Sequence, residues 1–328
     1  PTAFEAPDTR AETHGSVRAQ AFKDFVLIAV EDGSTGESCK IVRDYTKQHN
    51  RIELLQVAHQ SVVGAMNQAL EHCTAPICAR MDADDIMAPE RLAKQWDYPQ
   101  ANPDIDLVGS CVRLFPEEII QDGFNEYIRW QNGCITPQQI ADNIYVELPI
   151  ANPSICFRRD VVLDAGGYRD GDFPEDYELL LRLHQYGHQM AKLPEVLLHW
   201  RDSESRLTRT DERYSRMAFD RIRAAYLASD SRLQQVRPLA YWGAGRVTRK
   251  RTAHLIGHGH TPHVWIDSDP GKIGNIIEGA EVVAPHWLDR EEKPFVLSYV
   301  SNHGARELIA IDLESRGYRN GIDYLMVG

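Results

Sequence analysis

The chain has 328 residues, 43% of them hydrophobic, with 48 acidic against 36 basic side chains and a formal net charge of −12. That length suits two domains and that apolar content suffices for packed cores, while the acidic balance excludes a general nucleic-acid-binding or anionic-membrane-binding surface. No apolar run approaches the span of a bilayer and no signal peptide is visible, so a cytoplasmic protein is expected. The local basic group Arg246, Arg249, Lys250 and Arg251 reads as a solvated helix face. Cys39, Cys73, Cys78, Cys111, Cys134 and Cys156 show no paired spacing and read as buried thiols in a reducing compartment.

Phe25-Val26-Leu27-Ile28-Ala29-Val30 is an unbroken apolar run, the pattern of a strand covered on both faces, and it runs into Glu31-Asp32-Gly33-Ser34-Thr35. A helix over 34 to about 48, a strand Ile52 to Val57 and a helix from about Val62 to His72 follow. Pro76 to Met81 reads as another short buried strand. At its end stands Arg80-Met81-Asp82-Ala83-Asp84-Asp85, and Pro89-Glu90-Arg91-Leu92 opens a helix near Pro89. This alternation predicts a mostly parallel sheet with acidic residues gathered along its carboxyl edge.

Three carboxylates within four positions repel one another unless a cation neutralises them, and hard oxygen ligands suit Mg²⁺ or Mn²⁺ carrying a substrate diphosphate. The alternating spacing places Asp82 and Asp84 on one side of an extended backbone, with Asp85 turned elsewhere to cap the helix. The competing reading is a solvated acidic loop at a helix N-terminus.

Further along, Glu175-Asp176 introduces a helix with apolar Tyr177, Leu179, Leu180, Leu181 and Leu183. The macrodipole alone accounts for two acids there, but a base at that place needs burial, or Glu175 beside it, to stay basic. His184 and His188 lack a third ligand and read as surface histidines. From Asp202 to about 236 the chain reads as a charged loop and an amphipathic connecting helix.

A second α/β unit begins with Pro238-Leu239-Ala240-Tyr241-Trp242, which enters Gly243-Ala244-Gly245-Arg246 and a helix to about Gly257. The strand His263-Val264-Trp265-Ile266 ends at Asp267, about twenty residues beyond the glycines, the spacing of a dinucleotide fold. Glu281-Val282-Val283, Phe295-Val296-Leu297-Ser298 and a helix from about Ala305 to Arg316 complete a small Rossmann-like unit. Its third glycine position is Thr248, so the glycines serve equally for a tight strand-to-helix turn. Gly243, Gly245 and Asp267 remain a candidate ligand site, for a nicotinamide dinucleotide or another nucleotide or sugar.

The order and spacing of these segments resemble the family 2 glycosyltransferases of the GT-A fold. The resemblance runs to about Thr210 and also takes in Phe22-Lys23-Asp24-Phe25, Asn102-Pro103-Asp104-Ile105, Val108-Gly109-Ser110, Arg158-Arg159, Gly166-Gly167-Tyr168 and Pro174-Glu175-Asp176-Tyr177-Glu178-Leu179. It implies a GT-A nucleotide-diphospho-sugar transferase domain over 1–205, a helical connector over 206–236, and the smaller Rossmann-like α/β domain over 237–328. In it Asp32 would contact the base, Arg80, Asp82 and Arg201 would bind the nucleotide sugar, and Asp82 and Asp84 would hold Mn²⁺ or Mg²⁺. Asp176, with Glu175 beside it, would be the catalytic base of an inverting transfer from a nucleotide sugar, expected to be a UDP-sugar, to a glycan or lipid-linked acceptor. Arg201 or Arg206 would pair with phosphate oxygens. Peripheral membrane association is compatible with such an acceptor; nucleic acid is not an expected partner. Family members open with an extended strand before the Pro-Thr that starts this sequence, and the Asn and Gly common in the family are replaced by His59-Gln60-Ser61. A non-catalytic scaffold with a degenerate transferase domain and an oxidoreductase centred on Gly243 and Asp267 are the alternative readings.

Overall fold

The computed structural model describes residues 7–32, 51–57, 61–203, 206–235, 237–302 and 304–328. The helix expected over 34–48 and the His59-Gln60 pair lie outside them. The chain divides into two compact units, one of Pro1–Pro137, Ile150–Gly171 and Glu175–Thr210, the other of Gln138–Pro149, Asp172–Pro174 and Asp211–Gly328. The stretch read as a connector falls on both sides, with the helix Leu207–Thr210 in the first unit and Arg216–Ala228 in the second.

In the first unit, β1 (Leu27–Asp32) and β2 (Ile52–Val57) pair in parallel. A separate sheet is formed by β3 (Ile77–Ala79), β4 (Ile86–Met87), β5 (Ile105–Phe115), β6 (Cys156–Arg158) and β7 (Gln189–Arg201), in the order β3-β6-β5-β7-β4. The expectation of a mostly parallel sheet fails here. Only β5 and β7 run parallel, whereas β6 opposes both β3 and β5 and β4 opposes β7. β6 lies between β3 and β5 in the opposite sense, and β4, reached from β3 through the 80–85 loop without a crossover helix, lies antiparallel to β7 at the far edge. That loop therefore joins two strands instead of passing straight into a helix, which begins later, at Arg91–Ala101.

The long central strand β5 is apolar on both sides, with Leu107, Val108, Val112 and Leu114 all buried. Val112 and Leu114 pack with Met87, Leu198 and Trp200, and Phe124 closes over this cluster. Behind the 80–85 loop the helix Pro7–Arg18 and the turn after it clasp the chain through polar bonds. Thr13 Oγ1 donates to the Asp85 carbonyl at 2.8 Å, and Gln20 both donates to Ala88 O at 2.8 Å and accepts from Leu92 N at 3.0 Å. Each satisfies a main-chain group that has no ladder partner.

The second unit contains β8 (Leu239–Trp242), β9 (Val264–Ile266), β10 (Ile276–Ile277), β11 (Ala280–Val283), β12 (Phe295–Ser298) and β13 (Tyr324–Met326). Their order is β10-β11-β9-β8-β12-β13, parallel apart from the β10-β11 hairpin. From β8 the chain winds outward to β9 and β11, then returns to β12 on the other side, so the direction of winding reverses between β8 and β12, the arrangement of a doubly wound sheet. Gly243 follows β8 with φ +107°, and a side chain there would meet Val300 and Thr248 at about 3 Å.

Gly109 of β5 lies so close to Ile150 that a Cβ would stand 2.3 Å from its Cγ2. Gly109→Ala should therefore cost about 1–3 kcal/mol through overpacking. Gly123→Ala, on an open helix face with nothing within 4 Å, should leave the thermal unfolding midpoint unchanged or higher. Equal midpoints for the two variants would contradict the packing argument.

Candidate active site

The 80–85 loop concentrates charge. Asp82, Asp84 and Asp85 each bring a carboxylate oxygen within 4.8 Å of the other two. Asp85 is buried and Asp82 and Asp84 are half-buried, so the expectation that Asp85 turns away to cap a helix is not met. Its Oδ1 accepts from the Arg201 backbone N–H at 2.8 Å, and its Oδ2 is buried with no hydrogen-bond partner. The helix that follows is capped by Glu90, without a side-chain bond. Burial, then Asp82, raises the proton affinity of Asp84, and burial with both neighbours raises that of Asp85 well above the usual carboxylate range.

Arginines brace this loop from below. Arg80 Nη2 meets Asp82 Oδ1 at 2.7 Å, and Arg80 Nη1 is buried without a partner. Burial opposes the Arg80 charge, but Asp82, Tyr168 and Asp176 outweigh it and hold the guanidinium more firmly protonated than usual. Wholly buried Arg91 donates to the Arg80 carbonyl at 2.7 Å and to Gln95 Oε1 at 2.9 Å, and burial brings its own pKa down to about 10. Arg201, at the end of β7, donates from Nε to the Asp84 carbonyl at 2.8 Å and from Nη2 to Glu12 at 2.5 Å, stacking over Phe115. Its guanidinium thus secures the loop's shape. Arg206 lies over Trp200 at 4.4 Å and reaches Asp202 at 3.5 Å.

Asp176 stands in the first turn of the helix Glu175–Gln185, its Oδ1 accepting from Tyr177 N at 2.7 Å. Burial and then Glu175 raise its pKa to about 7. Glu175 itself is buried. Asp176 and the acidic loop share Arg80 as a neighbouring cation. Asp32 closes β1 opposite Val57, with its side chain outside the described ones; Glu31 beside it is buried and accepts from Gln56.

Two residues here had no role assigned from sequence. Tyr168 is buried, its hydroxyl has no partner, and it feels the charges of Arg80, Glu175, Asp176 and Asp82. Asn67 fixes it with two main-chain bonds of 2.8 Å each. Gly166 and Gly167, both with positive φ, form the turn before it, and Arg182, paired with Glu178, donates to the Gly167 carbonyl at 2.7 Å. The Gly-Gly-Tyr spelling signals the turn, whereas the Asn67 contact joins positions 101 apart in sequence and has no local signature.

In the second unit Asp267 is already committed. It accepts from Ala244 N at 2.8 Å, from Asp269 N at 2.9 Å and from Lys272 Nζ at 3.1 Å, which ties the carboxylate to its own turn. Gly245 forms the N-cap of the helix Arg246–Gly257.

The sequence pattern of glycosyl transferase family 2 matches residues 1–162. The chain is 32% identical to the amylovoran biosynthesis glycosyltransferase AmsE of Erwinia amylovora over 197 residues, 59% of this chain and 71% of that one. It is also 32% identical to the O-antigen biosynthesis glycosyltransferase WbnJ of Escherichia coli, over 51% of this chain and 63% of the relative. In fold it is similar to S. aureus TarS 1–349 in complex with UDP-GlcNAc, with a TM-score of 0.53 at 13% identity over 78% of this chain and 77% of that one. No helix among the described residues is long and apolar enough to cross a membrane.

Since the Tyr168 hydroxyl is buried and unpartnered, Tyr168→Phe removes a desolvated polar group without opening a cavity. Its stability in urea should equal or exceed that of the unmodified protein. A loss above about 1 kcal/mol would show that the hydroxyl is bonded in solution.

Proposed function

Because the chain belongs to glycosyltransferase family 2, we propose that its first unit carries out an inverting, metal-assisted transfer from a UDP-sugar to a glycan or lipid-linked acceptor in polysaccharide biosynthesis. The observation that carries the reading is the Arg80–Asp82 ion pair beside Asp84 and Asp85, with Asp176 acting on the same guanidinium. The biosynthetic names of the relatives and the UDP-GlcNAc of the similar fold support the substrate class.

The donor set fits a hard divalent cation: three converging carboxylates, one with an orphaned buried oxygen. Asp82 and Asp84 would hold Mn²⁺ or Mg²⁺, which when bound offsets the charge of the donor's diphosphate. Arg80 keeps Asp82 in place, and Arg201 holds the loop from its backbone. Asp32 receives the base edge. Asp176 removes the proton from the acceptor hydroxyl while that oxygen attacks the anomeric carbon and the sugar–phosphate bond breaks, in one displacement without a covalent enzyme intermediate. A carboxyl with a pKa of about 7 suits this task far better than an ordinary aspartate, since a substantial fraction is ionised near neutral pH while the carboxylate remains basic enough to take a proton.

Asp84→Ala should abolish Mn²⁺-dependent UDP binding measured by calorimetry while the protein stays folded. Retained metal-dependent affinity would remove Asp84 from the metal site. Asp176→Asn should lower transfer about 10²–10⁴-fold with donor affinity nearly unchanged. Because burial raises the Asp176 pKa, the ionised base is lost below it, so wild-type transfer should rise as pH passes upward through about 7. The Asn variant should lose that limb. A limb that persists would assign it to another group.

A further inference from the structure

The parallel strands β8, β12 and β13 end at one edge of the second unit's sheet, and an arginine cluster gathers beyond them. Arg251, buried, donates from Nη1 to the Gly328 carbonyl at 3.1 Å and to the Tyr299 carbonyl at 3.5 Å, and from Nε to Asp220 Oδ1 at 3.1 Å. Arg223, also buried, donates to the same Asp220 oxygen at 2.6 Å and to Val146 O at 3.1 Å. One carboxylate therefore answers two guanidiniums. Arg216 and Arg306 add two more. Both act on Glu147, which burial pushes toward its neutral form against the pull of all four arginines. Glu147 makes no direct ion pair among the described residues, and Glu307, the other acid near Arg306, is exposed.

The unsatisfied groups sit at this place. Arg306 Nε is buried with no hydrogen-bond partner, and the Tyr299 hydroxyl, in a residue only 4% exposed, is likewise unpartnered. Tyr299 feels Arg223, Arg251 and Asp220. A buried guanidinium donor without an acceptor is costly, and the guanidinium fork matches phosphate oxygens two at a time. The helices Arg246–Gly257 and Ala305–Ser315 follow β8 and β12, where the winding reverses, and neither N-terminus is capped by a side chain. Arg216 is exposed and Glu147 and Arg306 are half-buried, so the cluster is open to solvent on that side.

We propose that this arginine cluster binds a phosphoryl group, with Arg306 and Arg216 as the direct contacts and Arg223 and Arg251, anchored by Asp220, behind them. The site is distinct from the Gly243 turn, whose Ala244 N–H is already taken by Asp267.

The test is calorimetry on the full chain in EDTA, titrating inorganic phosphate at ionic strength matched with KCl, with glucose 1-phosphate and UMP as parallel arms. Saturable binding is expected, weakened at least about tenfold by Arg306→Gln, the loss of one charge-assisted hydrogen-bonded contact. Arg216→Gln, at an exposed position, should also weaken it without touching the fold, and Asp84→Ala in the first unit should leave it unchanged. Tighter binding of glucose 1-phosphate or UMP than of phosphate, weakened by Arg306→Gln and unchanged in Asp84→Ala, would support the site and identify what carries the phosphoryl group. Absence of saturable binding, equal affinity in wild type and both arginine variants, or loss of binding in Asp84→Ala would overturn the proposal.

Discussion

Three carboxylates crowded within 4.8 Å are the constraint around which the first unit is arranged. At an effective dielectric near 20, each pair of full charges at that separation repels by about 3–4 kcal/mol, so the loop tolerates three ionised groups only with cations close by. The protein supplies Arg80 against Asp82, the Arg201 amide against Asp85, and buried Arg91 one layer beneath. What it does not supply is a partner for the second oxygen of Asp85. The raised proton affinities of Asp84 and Asp85 express that shortage. A chain that merely needed a polar loop would have no reason to hold this arrangement with a buried arginine and a clasping N-terminal helix.

The acidic loop was legible in the sequence because its residues are neighbours in the chain, and the Glu175-Asp176 helix because its apolar period is plain. Other features depend on contacts that no window of sequence contains. The alternation that turns Asp85 away holds for an extended backbone; here the chain turns between β3 and β4, and the third acid is carried back into the group. Sheet direction is hidden for a related reason, since the antiparallel strands β4 and β6 are two and three residues long and give no periodic signal. Tyr168 stood inside a recognised triplet, yet its place in the site depends on Asn67 and Arg80, far away in the chain.

The second unit shows the same contrast. Its glycine turn and the acid some twenty residues on were readable and pointed to a ribose contact. The structure ties Asp267 to its own turn through Ala244, Asp269 and Lys272, local bonds that the glycine spacing does not announce. Meanwhile the segment Gln138–Pro149, which lies within the stretch that resembles a transferase, contributes Glu147 and the Val146 carbonyl to this unit. Chain continuity and spatial membership part company there.

Arg201 presses on the acidic loop through two chemically separate routes, an amide to Asp85 and a guanidinium to the Asp84 carbonyl. The amide is common to every amino acid except proline. Side-chain drift at this position therefore erodes only one route, and the loop keeps its innermost anchor through almost any replacement. The site's tolerance of sequence change is thus uneven: replacing Arg201 leaves one of its two holds in place, whereas replacing Arg80 removes the ion pair to Asp82 and replacing Arg91 removes the guanidinium bond to the Arg80 carbonyl.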